Sequence, residues 1–227
     1  LITLRFIISL DIMVLLKHPI LYSFRRCPYA MRARFSIRIS QIKIELREVM
    51  LKKKPKDFLK FSNDGTVPIL IQRDNTTIQE SLDIVFWALK FNKNLNELKK
   101  IDNYNFLKFC DTEFKHNLDR YKYPTRYENV DPNFYRNKNI KFLKLLNKKL
   151  SLSKFLLTDK LSFLDFCIFP FIRQYRNVDQ LWFNHLNLSY LNDWFSFIVE
   201  SQEFDDIMKK YKVWEPSDSP LITNFKN

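Results

Sequence analysis

Apolar positions recur with two different periods along the 227-residue chain, and the change falls near residue 90. Before it, short apolar runs alternate with helical stretches. Ile20 to Phe24 reads as a buried strand, and Ile42 to Val49 alternates with period two, as a half-buried strand does. Between them, Pro28 to Ser40 reads as a helix with Ala30, Met31, Ala33, Phe35 and Ile37 among its residues. Pro55 suits the first turn of a short helix ending near Ser62, and residues 62–66 carry loop chemistry. Val67 to Ile71 predicts a third strand with its proline at the start or edge. Thr76 to Ile78 predicts a fourth strand, and Ser81 to about Leu89 a helix. The order is β-α-β-α-β-β-α.

Beyond about residue 95, spacings of three and four take over. Tyr104, Leu107, Cys110, Phe114, Leu118 and Tyr121 mark one helix, and Ile140, Leu143, Leu146 and Leu150 a second. Leu164, Ile168, Phe171 and Tyr175 mark a third, Leu191, Trp194 and Ile198 a fourth, and Phe204, Ile207 and Tyr211 a short last one. This half predicts an all-α bundle. Pro124 to Pro132 reads as a polar, aromatic loop. The organisation expected is an extension (1–18), an α+β domain (19–90), a linker (91–99), a helical domain (100–215) and a tail (216–227).

Composition narrows the function. The chain has a single glycine, Gly65, where average usage predicts about sixteen. Glycine-rich phosphate loops are thereby excluded. The net charge of +13 points only weakly to an anionic partner. Lys, Asn, Ile and Phe are common throughout while Gly and Ala are scarce, so the basicity reads as compositional bias rather than a nucleic-acid footprint. Neither Cys27, Cys110 and Cys167 nor His18, His116 and His185 shows the short spacing of a metal site. The odd number of thiols reads as reduced, in a cytoplasmic compartment. Ile7 to Leu16 is apolar but shorter than the roughly 20 residues a bilayer needs, and it lacks the small-residue site of a cleaved signal. No membrane association is expected. Met13 reads as the biological start, with 1–12 as over-extended translation.

The chemistry concentrates at Phe24-Arg25-Arg26-Cys27-Pro28-Tyr29-Ala30-Met31-Arg32. Pro28 suits the first helical position, which puts Cys27 at the N-cap of a strand–helix junction. Unpaired backbone N–H groups, the helix dipole and the neighbouring arginines favour a thiolate there, with a depressed pKa. Residue 30 is alanine, so no internal disulfide can close. The oxidised form must be a mixed disulfide with another molecule, and the abundant cytosolic partner is glutathione.

These residues resemble the glutathione transferase superfamily, in particular its cysteine-type, omega-like members and their bacterial relatives. Cys27-Pro28-Tyr29-Ala30 is similar to that group's Cys-Pro-Phe-Ala. Lys54-Pro55, Val67-Pro68 and Glu80-Ser81 fall in register with it. Ser162-Phe163-Leu164-Asp165 is similar to the family's capping box on a buried helix, a structural element. The resemblance implies a thioredoxin-like βαβαββα domain followed by an all-α bundle, a homodimer, and glutathione as co-substrate with no metal. It implies Cys27 as the reactive thiol, with Lys54, Val67, Pro68, Glu80 and Ser81 binding glutathione. Ser81 suits the γ-glutamyl carboxylate, Glu80 the γ-glutamyl ammonium, Val67 the cysteinyl backbone and Lys54 the glycyl carboxylate. Tyr29, Tyr121, Tyr123 and Arg173 are the candidates for the second-substrate pocket.

The expected activity is glutathione-dependent thiol transfer or reduction, acting on a disulfide, a glutathionylated substrate, an oxidant such as dehydroascorbate or a small electrophile. Two alternatives stand beside it. One is a non-enzymatic adaptor that meets an acidic partner through Arg32, Arg34 and Arg38. The other is conventional conjugation of an apolar electrophile, with Ser23 or Tyr22 in place of Cys27.

Overall fold

A computed structural model describes residues 15–62, 64–91 and 101–226, with the backbone alone for 101–104. The proposed start at Met13, the linker 92–99 and the side chain of Tyr104 lie outside the described residues. The first half runs β1 (Ile20–Ser23), α1 (Pro28–Ser40), β2 (Ile44–Glu48), α2 (Lys56–Leu59), β3 (Ile69–Ile71), β4 (Thr77–Ile78) and α3 (Ser81–Leu89). It is a thioredoxin-like domain. β1 pairs parallel to β2 and antiparallel to β3, with Leu21 opposite Leu46 and Leu70. β4 pairs antiparallel to β3.

Alternation along the strands builds two layers. Leu21, Leu46 and Leu70 join the main core, which continues through α1 and α3 into the helical half. Ile20, Tyr22, Ile69 and Ile71 face the other side and pack with Phe58 and Trp214.

The second half is helical, as its periodicity predicts: α4 (Ile101–Phe109), a π-helical turn (Cys110–Phe114), α5 (Lys115–Lys122), a 3₁₀ turn (Pro124–Arg126), α6 (Pro132–Lys138), α7 (Ile140–Leu150), α8 (Phe163–Arg176), α9 (Gln180–Asn184), α10 (Ser189–Val199) and α11 (Gln202–Met208). Four features differ from the sequence reading. α9 falls where no helical spacing is marked, its start set by Asp179, whose carboxylate accepts from Trp182 N at 2.9 Å. The loop expected up to Pro132 ends there because Asp131 caps α6, its carboxylate accepting from Asn133 N at 2.9 Å, with Pro132 at the first helical position. Tyr211 lies beyond the end of α11, its ring 6.4 Å from that of Phe225. The tail also returns to the sheet: Ile222–Thr223 forms β5, antiparallel to β2, giving the order β4-β3-β1-β2-β5.

The halves join along α1 and α8, where Phe35 stacks on Phe166 with centroids 4.4 Å apart. The start of α8 is built around Asp165, which is fully buried. Its carboxylate accepts from Ser162 N (2.9 Å), Leu156 N (2.9 Å) and Trp194 Nε1 (2.7 Å), as well as from the Ser162 hydroxyl. Burial still raises its pKa, against those donors. Replacing Asp165 with Ala strands three buried N–H groups, each costing about 1–3 kcal/mol. Urea unfolding of Asp165→Ala should show stability lower by about 3 kcal/mol or more with an unchanged denaturant slope.

Candidate active site

Cys27 occupies the N-cap of α1, with extended backbone and Pro28 at the first helical position. The turn is closed by Cys27 N donating to Phe24 O and Met31 N donating to Cys27 O, both 2.9 Å. The thiol is half-buried and its Sγ lies 3.6 Å from Val67 O. The Val67–Pro68 peptide is cis.

Cys27 opens onto a cavity of about 830 Å³ between the halves, which Lys54, Val67, Pro68, Glu80 and Ser81 also line. That is at the upper end of the roughly 300–1,000 Å³ of ligand pockets. Tyr29 and Tyr123 line the same cavity. Tyr121 and Arg173 are not among its lining residues. Tyr121 is buried against Tyr175, with ring centroids 5.3 Å apart, and Arg173 lies over the Phe204 ring at 5.5 Å.

Ser23 and Tyr22 also do not reach the cavity. Both are fully buried: Ser23 Oγ accepts from Arg34 Nε at 2.8 Å, and Tyr22 O–H accepts from an Arg47 N–H at 2.6 Å. Neither hydroxyl can meet a bound thiol, so the expectation of conjugation through Ser23 or Tyr22 is corrected. The expected basic face of α1 is corrected as well. Arg32 pairs with Asp111, Arg34 with Glu48 and Arg38 with Asp206, and the first two side chains are wholly buried.

Arg32 is a residue that the sequence reading missed as part of the site. It donates to both Asp111 carboxylate oxygens (2.9 and 2.6 Å), to Cys167 O and to Ser81 Oγ at 3.2 Å. Because Ser81 Oγ accepts from Arg32, its own proton is free to donate into the cavity. The π-helical turn carries Asp111 to this point. Such a turn widens a helix locally and is frequent at functional sites.

The thiol's electrostatics run against the expected thiolate. Burial raises the Cys27 pKa, opposed by the Ala30 and Tyr29 N–H groups and by the charges of Lys115 and Arg34. The proximity of Sγ to the Val67 carbonyl agrees with a protonated thiol, which donates there. With the pKa raised, the thiolate fraction at neutral pH is small and grows as pH climbs. Iodoacetamide labelling of the free protein should therefore accelerate with a midpoint above the ordinary thiol value of about 8.5. A midpoint below 7 would mean that the helix dipole outweighs burial.

Gly65 and Lys54 also line the cavity. Gly65 has φ +63°, and a Cβ there would lie 2.6 Å from Lys54 Nζ. Gly65→Ala should strain the turn by about 1 kcal/mol and displace the ammonium. A Tm lower by about 2–4 °C is the expected result in thermal unfolding.

Among the described residues there is no cluster of potential metal ligands, and no helix is long and apolar enough to cross a membrane. Residues 21–91 match the family of the glutathione S-transferase N-terminal domain. No curated protein matches the chain. Among solved structures, a serine-to-cysteine mutant of poplar glutathione transferase F1 is 18% identical with a TM-score of 0.70, covering 85% of this chain and 97% of its own. A glutathione transferase family member from Pseudomonas fluorescens with two glutathione bound is 16% identical with a TM-score of 0.73, covering 85% and 92%. The tau-class glutathione S-transferase of mango is 20% identical with a TM-score of 0.69, covering 85% and 93%. At these identities the likeness concerns the fold. The chain therefore folds as the glutathione transferases do, with residues 21–91 matching their N-terminal domain.

Proposed function

We propose that the protein is a glutathione-dependent thiol transferase in which Cys27 carries glutathione as a mixed disulfide. The observation that carries the reading is the position of Cys27 Sγ on the cavity wall, 3.6 Å from Val67 O, in a cavity also lined by Lys54, Glu80 and Ser81. These groups complement a tripeptide with two carboxylates, an ammonium and a sulfur. Ser81 and the first N–H groups of α3 take the γ-glutamyl carboxylate, and Glu80 takes the ammonium. The Val67 backbone pairs with the cysteinyl unit, as an added strand does. Lys54 meets the glycyl carboxylate as a point charge. The structural likeness to a protein solved with two glutathione bound supports this ligand.

Catalysis runs in two exchanges. Cys27 thiolate attacks the glutathione sulfur of a mixed disulfide, that S–S bond breaks, and the other thiol leaves as thiolate and takes a proton from water. A second glutathione thiolate then attacks the Cys27-bound glutathione sulfur, releasing glutathione disulfide and the Cys27 thiolate. A raised pKa lowers the thiolate fraction but strengthens the nucleophile, so the first exchange should speed up with pH. The burial of Ser23 and Tyr22 favours this reading over conjugation. The test is reduction of a glutathionylated peptide by glutathione. Catalysed turnover supports the reading. No catalysis of that exchange, together with conjugation of a halogenated aromatic, would replace it.

A further inference from the structure

Among the described residues, the helical half contributes six to the cavity wall: Asp111, Lys115, Asp119, Tyr123, Arg126 and Gln174. None is aliphatic. An apolar molecule seated against this wall would strip its polar groups of their hydration without offering hydrogen bonds in return. The wall fits a polar substrate, and its ion pairs say which charge.

Asp111 is neutralised by Arg32, and Asp119 by Lys115. Arg126 has no ion pair among the described residues. Its guanidinium lies 4.1 Å from the Tyr123 ring centroid. On the Cys27 side, Arg26 is also without an ion pair among the described residues and lies 5.3 Å from the Phe24 ring. Stacking holds a guanidinium plane while leaving its N–H edge open, the arrangement that grips a carboxylate with two bonds. The remaining acidic lining residues, Asp64, Glu80 and Asp83, belong to the α2–β3 loop and the start of α3. Those are the walls that take glutathione.

We infer that the second substrate is anionic: a disulfide whose non-glutathione half bears a carboxylate that Arg126 and Arg26 engage. This rests on the thiol-transferase reading. The chemistry is the exchange already written, with the carboxylate-bearing thiol as the leaving group. Arg126 and Arg26 orient that half and raise its local concentration.

The experiment uses three mixed disulfides of glutathione, with 3-mercaptopropionate, 2-mercaptoethanol and cysteamine. They share the glutathione half, so only the charge of the other half varies. The wild type at low ionic strength should show kcat/KM falling from anionic to neutral to cationic, with about tenfold or more between the extremes. The spread should narrow with added salt and in Arg126→Gln and Arg26→Gln, both exposed positions. Equal kcat/KM for all three, or a preference that neither variant changes, overturns the inference and leaves thiol transfer standing. A second readout does not need turnover. The rate ratio of iodoacetate to iodoacetamide at Cys27 should exceed that for free glutathione and should drop in both variants. A ratio no higher than that of free glutathione overturns the inference. Failure to reduce any of the three disulfides overturns the thiol-transferase reading instead.

Discussion

Cys27→Ala should lower kcat/KM for reduction of glutathionylated peptides by on the order of a thousandfold or more, down to the background rate of glutathione alone. The size follows from the chemistry. A mixed disulfide needs a sulfur, and the other two thiols do not reach the cavity. Cys110 and Cys167 are buried in the core. Burial pushes Cys167 up to about 12, and it raises Cys110 as well. Both thiols therefore stay protonated at working pH. In the proposed reading Lys54, Glu80 and Ser81 bind glutathione independently of the Cys27 side chain, so KM for glutathione in any residual reaction should change little. Cys27→Ser separates the roles further. It restores a hydrogen-bond donor at the N-cap but cannot form the covalent intermediate. Thiol transfer should stay lost in Cys27→Ser, while thermal stability stays near wild type.

A loss of stability comparable to that of Asp165→Ala, joined to an effect on the site, should come from the ion pair behind Ser81. Asp111→Ala leaves the Arg32 guanidinium fully buried without its bidentate partner. Removing one member of a buried pair costs about 3–5 kcal/mol. Asp111 is 22% exposed on its side chain, which places the expectation near the lower end. For a chain of this size, about 3 kcal/mol corresponds to roughly 6–12 °C in Tm. Arg32 also donates to Ser81 Oγ, so the same substitution should raise KM for glutathione. The double variant Arg32→Met with Asp111→Leu distinguishes the two effects. Replacing a buried pair by hydrocarbon can be neutral for stability, so its Tm should recover while its KM stays high. A Tm for Asp111→Ala within 2 °C of wild type would show that solvent, rather than Asp111, compensates Arg32.

How much of this was legible in the sequence depends on the distance over which each feature is specified. α1 and α3 follow from local signals: proline at the first position of one, and a compact apolar run after Glu80-Ser81 in the other. The long bundle helices follow from periodicity alone. β5 does not, because a two-residue edge strand has no period to detect and exists only where β2 offers it a partner. The start of α6 is signalled by Asp131-Pro132, but the polar residues around it carry the pattern of a loop.

The site divides in the same way. Its Cys27 side lies within one strand–helix junction. Its helical wall is assembled by tertiary contact, with Asp111 reaching Arg32 across 79 residues. Three arginines along one helix look solvated from composition. They are instead absorbed by Asp111, Glu48 and Asp206, and no local pattern in α1 announces those partners. For the same reason Tyr121 and Arg173, chosen by residue type, lie against Tyr175 and Phe204 instead of lining the cavity.

The central claim is that glutathione becomes bonded to the sulfur of Cys27. The direct measurement is peptide mapping by mass spectrometry, under acid quench, after brief exposure of the reduced protein to glutathione disulfide. The account predicts glutathione on the peptide carrying Cys27, none on those carrying Cys110 or Cys167, and its loss when excess glutathione is added. Unmodified Cys27 in a protein that is still turning over disulfide substrate would contradict it.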